Sequence, residues 1–112
     1  MKKTICVLLL MGPLVAGCGM SDGQEYKLAS TTYQATVRSI TVASKADLIS
    51  LADMERVAVI EGEAFDLLGS MRSALLEARS LDFEFYRIRA SALIDRLIII
   101  ELEAQRTKER QP

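Results

Sequence analysis

The residues best suited to covalent chemistry in this sequence are two cysteines, Cys6 and Cys18. The 112-residue chain contains no histidine, so it lacks the commonest general base and the commonest transition-metal ligand. It also contains no glycine-rich phosphate loop and no Gly-x-Ser-x-Gly element. The sequence therefore predicts a protein that is not an enzyme and that uses no metal or cofactor.

Carboxylates are the other groups that could act on a ligand. Glu61, Glu63 and Asp66 lie close together in the chain. Residues two positions apart on a helix do not face each other, whereas residues three or four apart do. Only Glu63 and Asp66 would therefore share a helix side, and we expect solvated charges here rather than a cation site.

The first seventeen residues have the features of a secretory signal, which needs a basic beginning, an apolar middle and small residues at a cleavage site. Lys2 and Lys3 are followed by an apolar run over residues 5–11. That run is too short to cross a bilayer, which takes roughly 20 residues, and Pro13 would break a helix. We expect residues 1–17 to be removed, and Cys6 with them.

Val15-Ala16-Gly17-Cys18 resembles the lipobox of bacterial lipoproteins, in which two small residues separate an aliphatic residue from a cysteine. The resemblance implies cleavage before Cys18, a diacylglyceryl group on its thiol and acylation of the new amino terminus. Three acyl chains form a lasting anchor, because each buried methylene contributes roughly 0.8 kcal/mol. The alternative is an ordinary cleaved signal in which Cys18 is only a small residue.

The residue after the cysteine bears on the membrane in which such a protein resides. In Gram-negative lipoproteins an aspartate there commonly retains the protein in the inner membrane, whereas this chain has Gly19. The resemblance therefore favours the outer membrane, facing the periplasm.

The remaining 95 residues are enough for one domain. Without Lys2 and Lys3, 12 basic residues face 15 acidic ones, so the net charge is −3 and no basic surface for nucleic acid is indicated. With Cys18 lipidated, no disulfide is available. The domain must be stable through packing alone.

After a polar tether over residues 18–24, we predict a helical body over residues 25–112 with helices at about 25–45, 51–79 and 83–108. Ser50 is expected to cap the second helix, and Ser80-Leu81-Asp82 to form a turn. The fold class is all-α, a small helical hairpin or a three-helix bundle. The expected buried stripes are Tyr26, Ala29, Tyr33, Val37, Ile40 and Ser44; then Val57, Ile60, Ala64, Leu68, Met71, Leu75 and Ala78; then Tyr86, Ala90, Leu93, Leu97, Ile100 and Ala104.

Two features leave alternatives open. Gly62 and Gly69 lie on one side of the second helix, where either another helix approaches closely or the face is simply solvated. The third helix is apolar all round one turn at residues 97–100, so either two helices sandwich it or Ile99 marks a contact between copies.

The whole body is similar, more loosely, to the small helical lipoproteins of bacterial and phage genomes, a resemblance that implies no particular activity. We expect a membrane-anchored lipoprotein with a structural or protein-interaction role at the bacterial cell envelope. Contact with a protein partner or with a second copy is expected at Tyr26, Tyr33, Gly62, Gly69 and Ile99. The alternative is an exclusion or immunity lipoprotein of phage or plasmid type, which blocks an envelope receptor or a toxin.

Overall fold

The computed structural model describes residues 20–110, so Cys6, the lipobox with Cys18, and Gly19 lie outside the described residues. The described residues form three helices, α1 (Asp22–Lys45), α2 (Leu51–Leu76) and α3 (Ser80–Arg110), and contain no strand. The predicted all-α class is confirmed, and the architecture is the three-helix bundle rather than the hairpin. None of the helices within residues 20–110 has the length and apolar character needed to span a membrane.

α1 begins three residues earlier than predicted, because a capping box closes its first turn. The Ser21 hydroxyl accepts a hydrogen bond from the Gln24 backbone N–H (3.2 Å), and the Gln24 side chain accepts one from the Ser21 backbone N–H (2.9 Å). These bonds give partners to backbone N–H groups that otherwise have none at the start of a helix. Residues 22–24, which we expected in the tether, therefore belong to α1.

The connection from α1 to α2 follows the predicted break. Asp47 adopts a left-handed backbone conformation with φ 59°, and the Leu48 N–H bonds to the Ala43 carbonyl at 3.0 Å. Ser50 then caps α2 as predicted, since its hydroxyl accepts a hydrogen bond of 3.1 Å from the Asp53 backbone N–H.

α2 ends at Leu76 instead of near Arg79. The Arg79 N–H bonds to the Ala74 carbonyl (2.8 Å) and the Ala78 N–H to the Leu75 carbonyl (3.2 Å), which together form a Schellman motif. Ala78 takes the left-handed position of this motif, with φ 56°. It is therefore exposed, and its predicted place in the buried stripe is wrong.

Ser80-Leu81-Asp82 forms the first turn of α3 rather than a separate turn. Serine and aspartate suit both settings, because their side chains bond to nearby backbone in turns and at helix starts. Arg79 lies just before the helix and donates to Glu77 (2.9 Å) and to Asp82 (2.6 Å). The hydrogen bond to Asp82 is the main cause that raises the pKa of Arg79.

The core consists of two clusters, one near each end of the bundle. Each cluster takes residues from all three helices. One contains Ile40, Val57, Ile60, Leu97 and Ile100, and the other contains Leu68, Met71, Ala74, Phe83 and Ala90 with Tyr26 and Tyr33 packed against them. Late residues of α2 thus meet early residues of α1 and α3. It follows that α1 and α3 run in the same direction and α2 runs in the opposite one.

Most predicted stripe positions of α2 and α3 are buried, whereas on α1 only Ile40 is. The other predicted residues of α1 are half-buried, and Glu25 and Thr36 are buried instead. On α2, Ala74 is buried in the place expected for Leu75, which is half-buried. On α3, Phe83 and Ile94 are buried while the predicted Tyr86 and Leu93 are half-buried. The reason is that α3 contacts both other helices, so its buried face is wider than a single seam. α3 is therefore packed between the two other helices, but Ile99 stays outside that contact, so the alternative of a contact between copies at Ile99 stays a prediction.

Candidate interaction surface

The side of α3 that faces away from the bundle carries a line of six apolar residues and one aspartate, which we call the outward stripe. Its members recur in steps of four and three residues, and all of them are exposed. They are Leu81, Phe85, Ile88, Ala92, Asp95, Ile99 and Leu102. The five large side chains among them expose between 48% (Leu102) and 88% (Leu81) of their surface.

The outward stripe lies opposite the core face of the same helix. Five of its members come two positions before a buried residue, for example Leu81 before Phe83 and Ile88 before Ala90. Two positions correspond to about 200° around an α-helix. α3 therefore has two apolar faces, and only one of them is covered by the bundle.

No comparable stripe occurs on α2, the other helix with several exposed apolar side chains. Leu51, Val59, Phe65 and Leu76 are exposed there, and Val59 lies outside the row that joins the other three. The outward positions between them hold mainly charged or very small residues, namely Glu55, Ala58, Gly62, Gly69 and Arg72. Singly exposed apolar residues are normal on protein surfaces, whereas a continuous exposed row indicates an interaction site.

The outward stripe is flanked by charges of both signs. On the side towards α2 lie Asp82, Arg89, Arg96 and Glu103, and on the side towards α1 lie Glu84, Ser91 and Ile98. The Arg89 guanidinium stacks over the Phe85 ring at 5.3 Å from its centroid. The same ring meets Tyr86 edge-on at a centroid distance of 5.6 Å. These two contacts orient the Phe85 side chain at one edge of the outward stripe.

An open groove of about 480 Å³ runs between α2 and α3 beside the outward stripe. Glu63 and Asp66 line it from α2, and Arg89, Ala92 and Leu93 from α3. The guanidinium of Arg89 thus shares the groove with the two carboxylates that we considered for a cation site. Within residues 20–110, no group of ligating side chains has an arrangement that could hold a metal ion.

The predicted contact residues do not form one surface. Tyr26 and Tyr33 are half-buried against the core, and the Tyr33 hydroxyl donates a hydrogen bond of 3.1 Å to the Glu61 carbonyl. Burial, and the nearby charge of Glu61, raise the pKa of Tyr33. Gly62 and Gly69 lie exposed on α2, and a Cβ at either position would meet no atom within 4 Å. Within the bundle, therefore, no helix approaches these glycines.

Of the predicted contact residues, only Ile99 belongs to the outward stripe. The other members of the outward stripe were not predicted as contact residues. The signal was available, because the steps from Leu81 to Leu102 alternate between four and three without interruption.

A scan against protein-family models gave no match, and searches of curated proteins and of solved structures gave no significant match either.

Proposed function

We propose that this protein is a lipid-anchored protein of the bacterial cell envelope that presents α3 to a protein partner. The observation that carries the interaction role is the outward stripe, an exposed apolar row on a helix whose opposite face already fills the core. Such a row is costly to leave in water, since apolar surface gains free energy when it is removed from solvent. A binding role explains why it is there.

The anchoring half of the proposal rests on the lipobox and on a short path from Cys18 to the bundle. α1 begins at Asp22, so four Cα–Cα steps separate the lipidated residue from the first helix. That path spans at most about 14 Å. A lipid on Cys18 would therefore hold the bundle close to the membrane surface, with the first turn of α1 nearest the lipid.

The interaction role can be tested with two phenylalanines in the full chain in living bacteria. A photoreactive phenylalanine analogue replaces Phe85 on the outward stripe or, as the matched control, Phe65 on the exposed side of α2. We expect a discrete light-dependent adduct from position 85 and none from position 65. An adduct from position 65 alone would move the interaction site to the exposed face of α2 that carries Gly62, Phe65 and Gly69. No adduct from either position would contradict the proposal.

The anchor requires a separate test. In the native chain we expect carbonate-washed membranes to retain the protein, and Cys18→Ser to release it or leave it unprocessed. A mass spectrum of the purified protein should show a chain that starts at Cys18 and carries acyl chains. A native chain with a free thiol at Cys18 would contradict the anchor even if the photoadduct formed.

A further inference from the structure

The outward stripe has the spacing of one strand of a coiled coil. Uninterrupted four-three alternation over residues 81–102 keeps the row on one side of a supercoiled helix for three heptads, about 32 Å of helix. A membrane surface imposes no such spacing, and helices that lie on membranes carry mainly Lys and Arg on their polar sides. Here the flanks mix Asp82, Glu84 and Glu103 with Arg89 and Arg96. The occupant that fits is another helix.

We infer that the occupant is α3 of a second copy of this chain, packed parallel to the first through the outward stripe. The inference deepens the proposed function, on which its membrane geometry rests. In a parallel pair, each residue on the flank towards α1 meets the residue five positions later on the second copy's flank towards α2. Glu84 then meets Arg89 of the second copy, and symmetry provides this contact twice.

The other flanking contacts of the parallel pair contain no like charges. Ser91 meets Arg96 of the second copy, and Ile98 meets Glu103 of the second copy. Glu84 already accepts a hydrogen bond from Arg87 on its own helix, and its carboxylate has a second oxygen for Arg89 of the second copy. The flanking charges are therefore compatible with self-pairing in this orientation.

An antiparallel pair that aligns the same apolar residues places like charges together. With Phe85 opposite Leu102 and Ile88 opposite Ile99, the flanking contacts bring Arg89 beside Arg96 of the second copy. The same register brings Asp82 beside Glu103. Like charges at such positions oppose pairing, so the flanking charges favour the parallel orientation, whereas Asp95, which this antiparallel register places opposite Ala92, favours the antiparallel one.

The direction of the chain agrees with this choice. α1 and α3 run in the same direction, so the first turn of α1 and the start of α3 lie at the same end of the bundle. In a parallel pair both copies of Cys18 would therefore reach a single membrane surface. Two chains held on one surface also have a high effective concentration, which strengthens weak contacts without any new interaction.

Asp95 sets the strength of the pair. It is an exposed member of the outward stripe, and in the parallel register it faces Asp95 of the second copy. Two carboxylates that face each other in the seam repel, so this layer weakens the pair. The pair is thus expected to be reversible, and replacing Asp95 with leucine should strengthen it.

The test uses disulfide formation in membranes from cells that express the full chain. Ala92→Cys introduces a thiol on the outward stripe, and Ala58→Cys, an exposed alanine of α2, is the matched control. The unsubstituted chain measures the background from Cys6 and Cys18. In the parallel pair the two thiols at position 92 come within disulfide range. We therefore expect at least about tenfold more linked dimer than from position 58, which is held on the same surface but lies outside the pair. Adding Asp95→Leu should raise the dimer fraction further.

An antiparallel pair, a different protein partner and a lipid contact would each give a different result. Two tagged chains, one with Ala92→Cys and one with Asp95→Cys, would form a mixed disulfide in preference to either self-disulfide if the pair were antiparallel, which overturns the orientation. Absence of dimer at position 92 together with a photoadduct from position 85 to another protein overturns self-pairing and leaves the proposed function standing. A light-dependent adduct from position 85 to lipid, without dimer and without protein adduct, identifies the outward stripe as a lipid contact and overturns both self-pairing and the proposed interaction role.

Discussion

The Arg87 Nε lies 3.4 Å from a carboxylate oxygen of Glu25, and this contact joins α3 to the first turn of α1. The Glu25 side chain is 7% exposed and that of Arg87 is 20% exposed. Arg87 also donates to Glu84 on its own helix, and that hydrogen bond lowers the pKa of Glu84. The same hydrogen bond is the main cause that raises the pKa of Arg87, and Glu25 raises it further. The end of the bundle nearest the proposed anchor is thus fixed by charge as well as by packing.

Replacing Arg87 should destabilise the bundle more than replacing an exposed arginine. Arg87→Met leaves the buried Glu25 carboxylate without this cation. We expect a loss of about 2 kcal/mol, less than the roughly 3–5 kcal/mol for breaking a fully buried pair, because Arg87 is partly solvated. Urea unfolding followed by circular dichroism measures the difference, with Arg96→Met on the exposed side of α3 as the control. Equal stabilities of the two variants would show that the Glu25–Arg87 contact contributes nothing.

Ala78→Gly should stabilise the protein. Ala78 has φ 56°, a conformation that costs an L-residue with a Cβ about 1–2 kcal/mol and costs glycine nothing comparable. We expect a gain of about 1 kcal/mol, which raises the melting temperature of a domain of this size by about 4–8 °C. Ala58→Gly, within α2, should have the opposite sign. A lower melting temperature for Ala78→Gly would contradict the left-handed assignment.

Gly62→Ala and Gly69→Ala test whether the face of α2 that carries these glycines is approached by another helix or is only solvated. Each new Cβ would meet no atom within the bundle, so each substitution should raise the stability by up to about 1 kcal/mol through helix propensity. If the face were only solvated, the photoadduct from position 85 and the disulfide at position 92 would be unchanged. Loss of either signal would show that a partner approaches α2 at these glycines.

The contribution of Glu61 to the free energy of unfolding should depend on pH. Burial raises its pKa above the ordinary value of 4.5, so its charged form is less favourable in the folded than in the unfolded chain. This cost is present at neutral pH and disappears as the pH falls through the folded pKa and below the unfolded one. Glu61→Gln should therefore be more stable than the native chain at pH 7 and equally stable once both states are protonated. Unfolding by urea at several pH values, with Glu63→Gln as the single-charge control, measures the effect, and a gain that grew on acidification would contradict it.

The helices could be predicted from spacing, but their ends could be predicted only in part. Ser50 was identifiable because a capping side chain precedes a long apolar pattern. Ser21 has the same role, yet the neighbouring Gly23 is typical of a flexible tether, and the capping box was missed. Ala78 gave no stop signal, since the left-handed position at the end of a helix is usually glycine.

The functional surface was harder to predict than the fold for a physical reason. α3 carries two rows in four-three steps, one through Ala90 and Leu97 and one through Ile88 and Ile99. Periodicity alone cannot decide which row meets the core, and the choice is made by packing against α1 and α2. The buried Glu25 was equally hidden, because its partner Arg87 lies 62 positions further along the chain and only the tertiary fold brings them together.

The most direct test of the account places charge on the outward stripe and leaves the core untouched. Ile88→Lys with Ile99→Lys is compared with Val59→Lys and Phe65→Lys on α2, four residues that are all more than half exposed. The yield of the photoadduct from position 85 is measured in membranes, together with the melting temperature of each purified chain. We predict that both variants melt no lower than the native chain, and that only the outward-stripe variant loses the adduct. An undiminished adduct from the outward-stripe variant, or equal loss from both, would contradict it.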